Sequence, residues 1–250
     1  RQDVHAGLAA STTESKAPDG FTDIFKLLIA AHALDPGFQA KAAAAFERAG
    51  GTGASKPPAV KGFMRMLAKV ENDHADAVEP KPYENADTNR VAWVLEDADQ
   101  LIKAEAEART ELGPPIRCKN NYQVSFDASL TKGYRAMLCN YVYDPKQTWG
   151  ELESEVKAAA VVVKRLVRGV LAGAGMDEAT LFGFGVQIDG VAAEFGVDVR
   201  EPGWEEGFCS ALDAAGMEAT EEGIANYGAS IDKAVRDGAE MRASPAKLVV

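Results

Sequence analysis

The chain has 250 residues, 46% apolar and 8% aromatic, enough to build a hydrophobic core, which excludes disorder as its main state. Thirty-eight acidic residues against 27 basic ones give a net charge of −11 and a pI near 4.9. A field of that sign repels phosphate backbones and disfavours general coating of DNA or RNA unless a local basic patch overrides it. Roughly one residue in six is alanine, which favours helix but buries little area per copy.

The first twenty residues, rich in Ser and Thr with Pro18 and Gly20, read as a loose arm. A helix is predicted from Phe21 to about Leu34, because Phe21, Ile24, Phe25, Leu28 and Ile29 recur at three and four residues. Asp35-Pro36-Gly37 is expected to stop it, and Phe38 to Ala49 to form a second helix. The stretch Gly50 to Pro58 reads as a linker, since its glycines precede Lys56 at the wrong spacing for a phosphate-binding loop. A third helix is predicted from Val60 to about Asn72, with Lys61, Arg65 and Lys69 on one stripe. The alternative for that stripe is a solvated face paired with Glu71 and Asp73.

From Arg90 the texture changes. Val91 to Leu95 reads as a buried strand, Asp97 opens a charged helix to about Leu112, and Gly113-Pro114-Pro115 ends it. Ile116 to Lys119 and Tyr134 to Tyr143 read as two further strands. Helices are then predicted at Glu151 to Ala172, Glu178 to Phe195, Glu205 to Ala215 and Thr220 to Arg242. The similar segments Gly175-Met176-Asp177 and Gly216-Met217-Glu218 read as helix starts rather than repeats. The fold class is therefore α+β or α/β, a small sheet inside helices. The organisation is an arm (1–20), a helical segment and linker (21–57), a central core (58–152) and a helical extension (153–250). Trp93 reads as core, Trp149 and Trp204 as half exposed at helix entrances, and Tyr122, Tyr141 and Tyr143 as packing residues. Lys164, Arg165 and Arg168 read as a solvated basic face.

Three cysteines, Cys118, Cys139 and Cys209, are an odd number with no close pair in sequence, which suggests neither a disulfide framework nor a zinc knuckle. They read as reduced, mostly buried thiols. The three histidines are far apart and lack metal-ligand spacing. The longest apolar run, Ala158 to Val163, is far short of the about 20 residues of a membrane span, so an intracellular, soluble chain without a transmembrane segment is expected. A start at Arg1 reads as a fragment or processed form, and the Ser/Thr-rich arm is compatible with an organelle reached by a removed transit peptide.

The centre of the chain has an order that can be read as a site. Lys61, Arg65 and Lys69 are followed by Asp87-Thr88-Asn89-Arg90 entering a strand, then Glu96-Asp97 opening a helix, Ile116-Arg117-Cys118-Lys119-Asn120-Asn121-Tyr122, and Lys132-Gly133-Tyr134-Arg135. This order resembles the synthetase domain of the RelA/SpoT family of guanosine pyrophosphokinases over residues 58–152. The resemblance implies a small mixed sheet of three to five strands of nucleotidyltransferase type, surrounded and extended by helices. Pyrophosphoryl transfer from ATP is largely positioning and charge neutralisation, so it calls for several cations and a carboxylate on Mg²⁺. By resemblance, Lys61, Arg65, Lys69 and Arg90 clamp phosphates, Asp87 holds the metal, Lys119 closes the pocket, and Tyr134 stacks on guanine beside Arg135. The family places a catalytic Glu on a late strand. Here Glu151 is the nearest candidate for catalysis and second metal ligand, and its neighbours Thr148-Trp149-Gly150 and Leu152-Glu153 look like a helix start. That departure implies a catalytically degenerate domain that binds a nucleotide or a protein partner, with Mg²⁺ required only for turnover. Two alternatives stay open: an active ATP-dependent pyrophosphokinase, and an accessory or structural subunit of a larger complex, in keeping with the alanine-rich helical flanks. Asp87 and Arg90 have a plainer role available as a cap and pair at a strand entrance.

Overall fold

A helix that is apolar on nearly every side forms the centre of the molecule. The computed structural model describes residues 23–51, 55–73, 87–123 and 125–250, so the expected N-terminal arm lies outside the described residues. Helix α1 (Ile24–Arg48) starts at Asp23, whose carboxylate accepts from the backbone N–H groups of Phe25 and Lys26. From Phe25 to Leu34 only Lys26 and His32 escape full burial, the pattern of a helix surrounded by neighbours rather than lying on a surface. The two helices expected either side of Pro36 are one, with Pro36 inside it. Proline removes one helical N–H, and outside partners brace this turn: the Asn89 side-chain amide donates to Ala31 O (2.8 Å) and to Asp35 Oδ1 (2.9 Å). Gln39 Nε2 donates to the same Asp35 oxygen from the following turn.

The expected linker contains a strand. β1 (Ser55–Val60) pairs antiparallel with β2 (Asn89–Trp93), with an irregularity between Lys56 and Ala59 where Pro57 and Pro58 supply no N–H groups. The third predicted helix shortens to α2 (Phe63–Ala68), followed by a π-type turn (Lys69–Asp73). Buried Phe63 and Met66 anchor α2, and Phe63 stacks on Phe25 at 5.7 Å between ring centroids. Helix α3 (Ala98–Leu112) begins where its acids predict, with Asp97 accepting from Gln100 N–H. β3 (Arg117–Asn120) and β4 (Met137–Asn140) form a second antiparallel pair. The long strand expected from Tyr134 starts later, because Lys132-Gly133-Tyr134 is a turn with positive φ at Lys132 (53°) and Gly133 (85°), and it divides at Tyr141 into β4, paired with β3, and β5 (Val142–Tyr143), paired with the end of the chain.

Helices α4 (Glu153–Gly173), α5 (Glu178–Glu194), α6 (Trp204–Ala214) and α7 (Glu221–Asp237) follow the predicted order. Asp177 and Thr220 cap α5 and α7 as the Gly-Met segments imply. The last predicted helix divides at Gly238 into α7 and a short α8 (Ala239–Ala243). The chain then closes with β6 (Leu248–Val249), which pairs with β5. The fold is thus α+β, but among the described residues the strands form three separate two-stranded ladders rather than one mixed sheet of three to five strands. One apolar core runs through both the central segment and the helical extension: Val156, Val163 and Val167 of α4, Ile188 and Ala192 of α5, and Leu248 join the α1 face. Trp149, expected half exposed, is buried edge-on against Phe195 at 5.0 Å, whereas Trp204 is half-buried. No described helix is long and apolar enough to cross a membrane.

Gly37 of α1 lies against Tyr143 of β5, whose hydroxyl a Cβ at this position would meet. Gly→Ala in a helix interior ordinarily stabilises by about 1 kcal/mol. Here Gly37→Ala should instead destabilise by about 1–2 kcal/mol, the cost of overpacking outweighing propensity. In a Tyr143→Phe background the same substitution should turn neutral or stabilising. Urea unfolding of the double-mutant cycle checks both signs.

Candidate functional site

The β1–β2 ladder ends with Val60 opposite Asn89, and the next backbone contact, Lys61 N–H to Thr88 O at 2.7 Å, carries the pairing one residue further. That register sets Lys61 beside Asp87. Lys61 therefore precedes α2, with Gly62 as the extended cap residue, so the three cations do not share one helical stripe as predicted. Two of them nonetheless meet. Lys61 Nζ donates to Asp87 Oδ1, and Lys69 Nζ, brought round by α2, lies 3.3 Å from the same oxygen. Their partner is Asp87, not Glu71 or Asp73.

Burial differs sharply within this trio. The side chain of Lys61 is 1% exposed, that of Lys69 22% and that of Asp87 37%. Burial pulls the Lys61 ammonium down to about 8; the bond to Asp87 opposes this and the like charge of Lys69 adds to it. For Asp87, burial works to raise the carboxyl, but the hydrogen bond and charge of Lys61, then Lys69, outweigh it and hold the group below its ordinary value. Among the described residues, two ammonium groups on one carboxylate leave local positive charge. Beneath them Thr88 and Asn89 are fully buried, Thr88 Oγ1 lying 3.3 Å from Val249 O and 3.1 Å from Asn89 Oδ1.

The other predicted residues lie apart from this trio or face solvent. Arg65 and Arg90 are exposed, and the Arg90 carbonyl accepts from Gln39. Lys119 is on the exposed face of β3. Tyr134, 66% exposed, stands on the β3–β4 loop as an open aromatic surface. Arg135, expected beside the base, turns back into its own loop: it donates to Asn121 O at 2.7 Å and covers the Phe126 ring at 5.7 Å. Glu151 closes a capping box before α4, accepting from Thr148 N–H (2.7 Å) and Thr148 Oγ1 (3.1 Å). Those bonds hold its carboxyl below the ordinary range.

This donor set does not fit a resident Mg²⁺. The ion takes octahedral oxygen coordination, whereas the Asp87 oxygen that faces the trio already serves two ammonium groups and Glu151 serves a helix start. Among the described residues no group of three or more His, Cys, Asp or Glu side chains forms a metal centre. Sequence reasoning passed over Asp35 and Gln39, which bind Asn89 and the Arg90 carbonyl. Asp35 before Pro36 carries the signal of a chain break, not of a buttress. The chain matches no protein-family model, no curated protein and no solved structure.

Removing one member of a buried pair costs about 3–5 kcal/mol. Because Asp87 is more than one-third exposed, Asp87→Asn should cost less, about 2 kcal/mol at pH 7. Lys61→Met, which removes the buried ammonium and leaves Asp87 with Lys69, should cost less still. Equal losses in urea unfolding would contradict burial of Lys61 as the source of the asymmetry.

Proposed function

We propose that the chain is a RelA/SpoT-like module, nucleotidyltransferase-type in descent with its sheet reduced to short ladders, that binds the phosphates of a nucleotide without turning it over. The observation that carries this reading is the pairing of Lys61 and Lys69 on the single carboxylate of Asp87. The carboxylate occupies the place a phosphate oxygen would take between the two ammonium groups. A nucleotide phosphate replaces it with more negative charge and more acceptor oxygens, and charge-assisted bonds of this kind are about twice as strong as neutral ones. Tyr134, exposed on the β3–β4 loop, is the aromatic surface this reading assigns to the base. Engagement of Glu151 by Thr148 supports binding without transfer. Magnesium enters only as a counterion of the nucleotide.

Titration calorimetry with GTP tests the reading. Lys69→Met should weaken binding about tenfold, the worth of one hydrogen bond to a charged group, whereas Asp87→Asn should strengthen it by removing the internal competitor. A metal-holding Asp87 requires the opposite effect. Affinity should also fall as pH rises through about 8, where Lys61 loses its proton. No heat from GTP, GDP or ATP with any of these proteins would end the nucleotide reading.

A second reading, an accessory subunit of a larger assembly, has its own observation. On α4, Val162, Leu166 and Val170 form an exposed apolar row at four-residue spacing, 40%, 48% and 39% accessible. A chain that binds no nucleotide yet co-purifies in a stable complex dissolved by Leu166→Glu would favour it.

A further inference from the structure

We propose that Cys118 and Cys139 form a reversible intramolecular disulfide that staples the stems of the β3–β4 loop. The two residues are directly opposed in the antiparallel register, with their sulfurs 3.3 Å apart, a hydrogen-bond distance. The backbone bond from Asn121 N–H to Ala136 O fixes the alternation of the ladder. Counting inward, Lys119 with Leu138 is a hydrogen-bonded pair and Cys118 with Cys139 a non-hydrogen-bonded one. Pairs of that kind bring Cα atoms to about 4.5 Å, within the roughly 4.4–6.8 Å that disulfides span. A small side-chain rotation closes the gap without moving the strands.

The surroundings suit oxidation of this pair. Cys118 is fully buried and Cys139 half-buried, so a small peroxide reaches them more readily than a bulky thiol reagent does. The bond between the sulfurs holds Cys118 below the ordinary thiol range and pushes Cys139 up, which makes Cys118 the readier of the two to react as a thiolate. Glu105 and Arg109 of α3 and the Tyr141 hydroxyl act on the same sulfurs. With hydrogen peroxide as oxidant, the Cys118 thiolate attacks one peroxide oxygen and the O–O bond breaks. The departing hydroxide takes a proton and leaves as water, and Cys118 becomes a sulfenic acid. The Cys139 sulfur then attacks the Cys118 sulfur; the S–S bond forms, the S–O bond breaks, and a second water leaves with the Cys139 proton. Two thiols are oxidised and one peroxide is reduced to two waters. A dithiol reverses the bond by exchange.

The proposal does not rest on the nucleotide reading, and its test is independent of ligand. The folded chain is treated with hydrogen peroxide, then alkylated after denaturation and weighed. The reduced chain takes up an alkyl group on each of its three cysteines. The oxidised chain should take up a single group, on Cys209, and yield a linked peptide pair containing Cys118 and Cys139. Its melting temperature should rise by about 5 °C and return with dithiothreitol. Cys209→Ser should form the same bond, and Cys139→Ser should not. A linkage through Cys209, full alkylation after peroxide, or sulfinic acid at Cys118 without a linked peptide would overturn the proposal. Peptide mapping of the unmutated chain decides the matter even if Cys139→Ser fails to fold.

Discussion

The buried side-chain amide of Asn89 joins the central helix α1 to the β1–β2 ladder. Its N–H groups reach Ala31 O and Asp35 on the turn before Pro36, while its backbone closes the β1–β2 ladder against Val60. A buried amide left without partners costs about 1–3 kcal/mol, so this contact ties strand register to the proline turn of α1. Register in turn fixes which residues follow: Thr88 opposite Lys61, and Asp87 beside the Lys61 ammonium. A slip of one residue would send Asn89 away from α1 and separate the trio, because side chains alternate faces along a strand. The candidate site thus depends on a hydrogen bond made outside it, between Asn89 and α1.

Two buried acid–base clusters allow a comparison within one molecule. Asp189, in the core-facing part of α5, accepts from Lys164 Nζ with both oxygens (2.7 and 2.9 Å) and from the Tyr227 hydroxyl (2.9 Å). Charge there is balanced one against one, and the carboxylate is nearly closed off, as a structural tie requires. The Lys61–Lys69–Asp87 trio is balanced two against one and keeps its carboxylate partly open. Among the described residues that surplus of positive charge beside an accessible anion distinguishes the second cluster from the first and underlies the proposed exchange of the anion for a better one.

Local chemistry was legible in the sequence, and long-range pairing was not. Asp97, Asp177 and Thr220 cap their helices because capping depends on residues within three positions. The meeting of Lys61, Lys69 and Asp87 was foreshadowed by their order, though through a helical spacing that the chain does not adopt. Pro36 misled because a local breaker can be overruled by a tertiary partner, here Asn89 from more than fifty residues away. The same limit hid Cys118 from Cys139, whose 21-residue separation carries no sign of a shared register. Lys164, read as solvated, pairs with Asp189, which lies 25 residues further along the chain.

The C-terminal strand bears most directly on what the central segment does. β6 pairs with β5, and Val250 exchanges both backbone bonds with Tyr141, each at 2.9 Å. Thr148 bridges to Pro245, and Trp149 and Gly150 donate to Ser244 and Arg242 carbonyls. The stretch after β4, where the resemblance calls for a further strand bearing a catalytic carboxylate, is therefore engaged by the end of the same chain. Thr148 and Glu151 complete that engagement with their reciprocal bonds in the turn before α4. To carry a Glu into the Asp87 cluster, this segment would have to give up the β6 pairing, the capping box and the burial of Trp149 at once. Each of those contributes on the order of 1 kcal/mol or more, so the fold opposes a catalytic role for Glu151 while leaving the cation pair intact. Under the proposed reading, that cost is why the central segment is assigned binding rather than transfer.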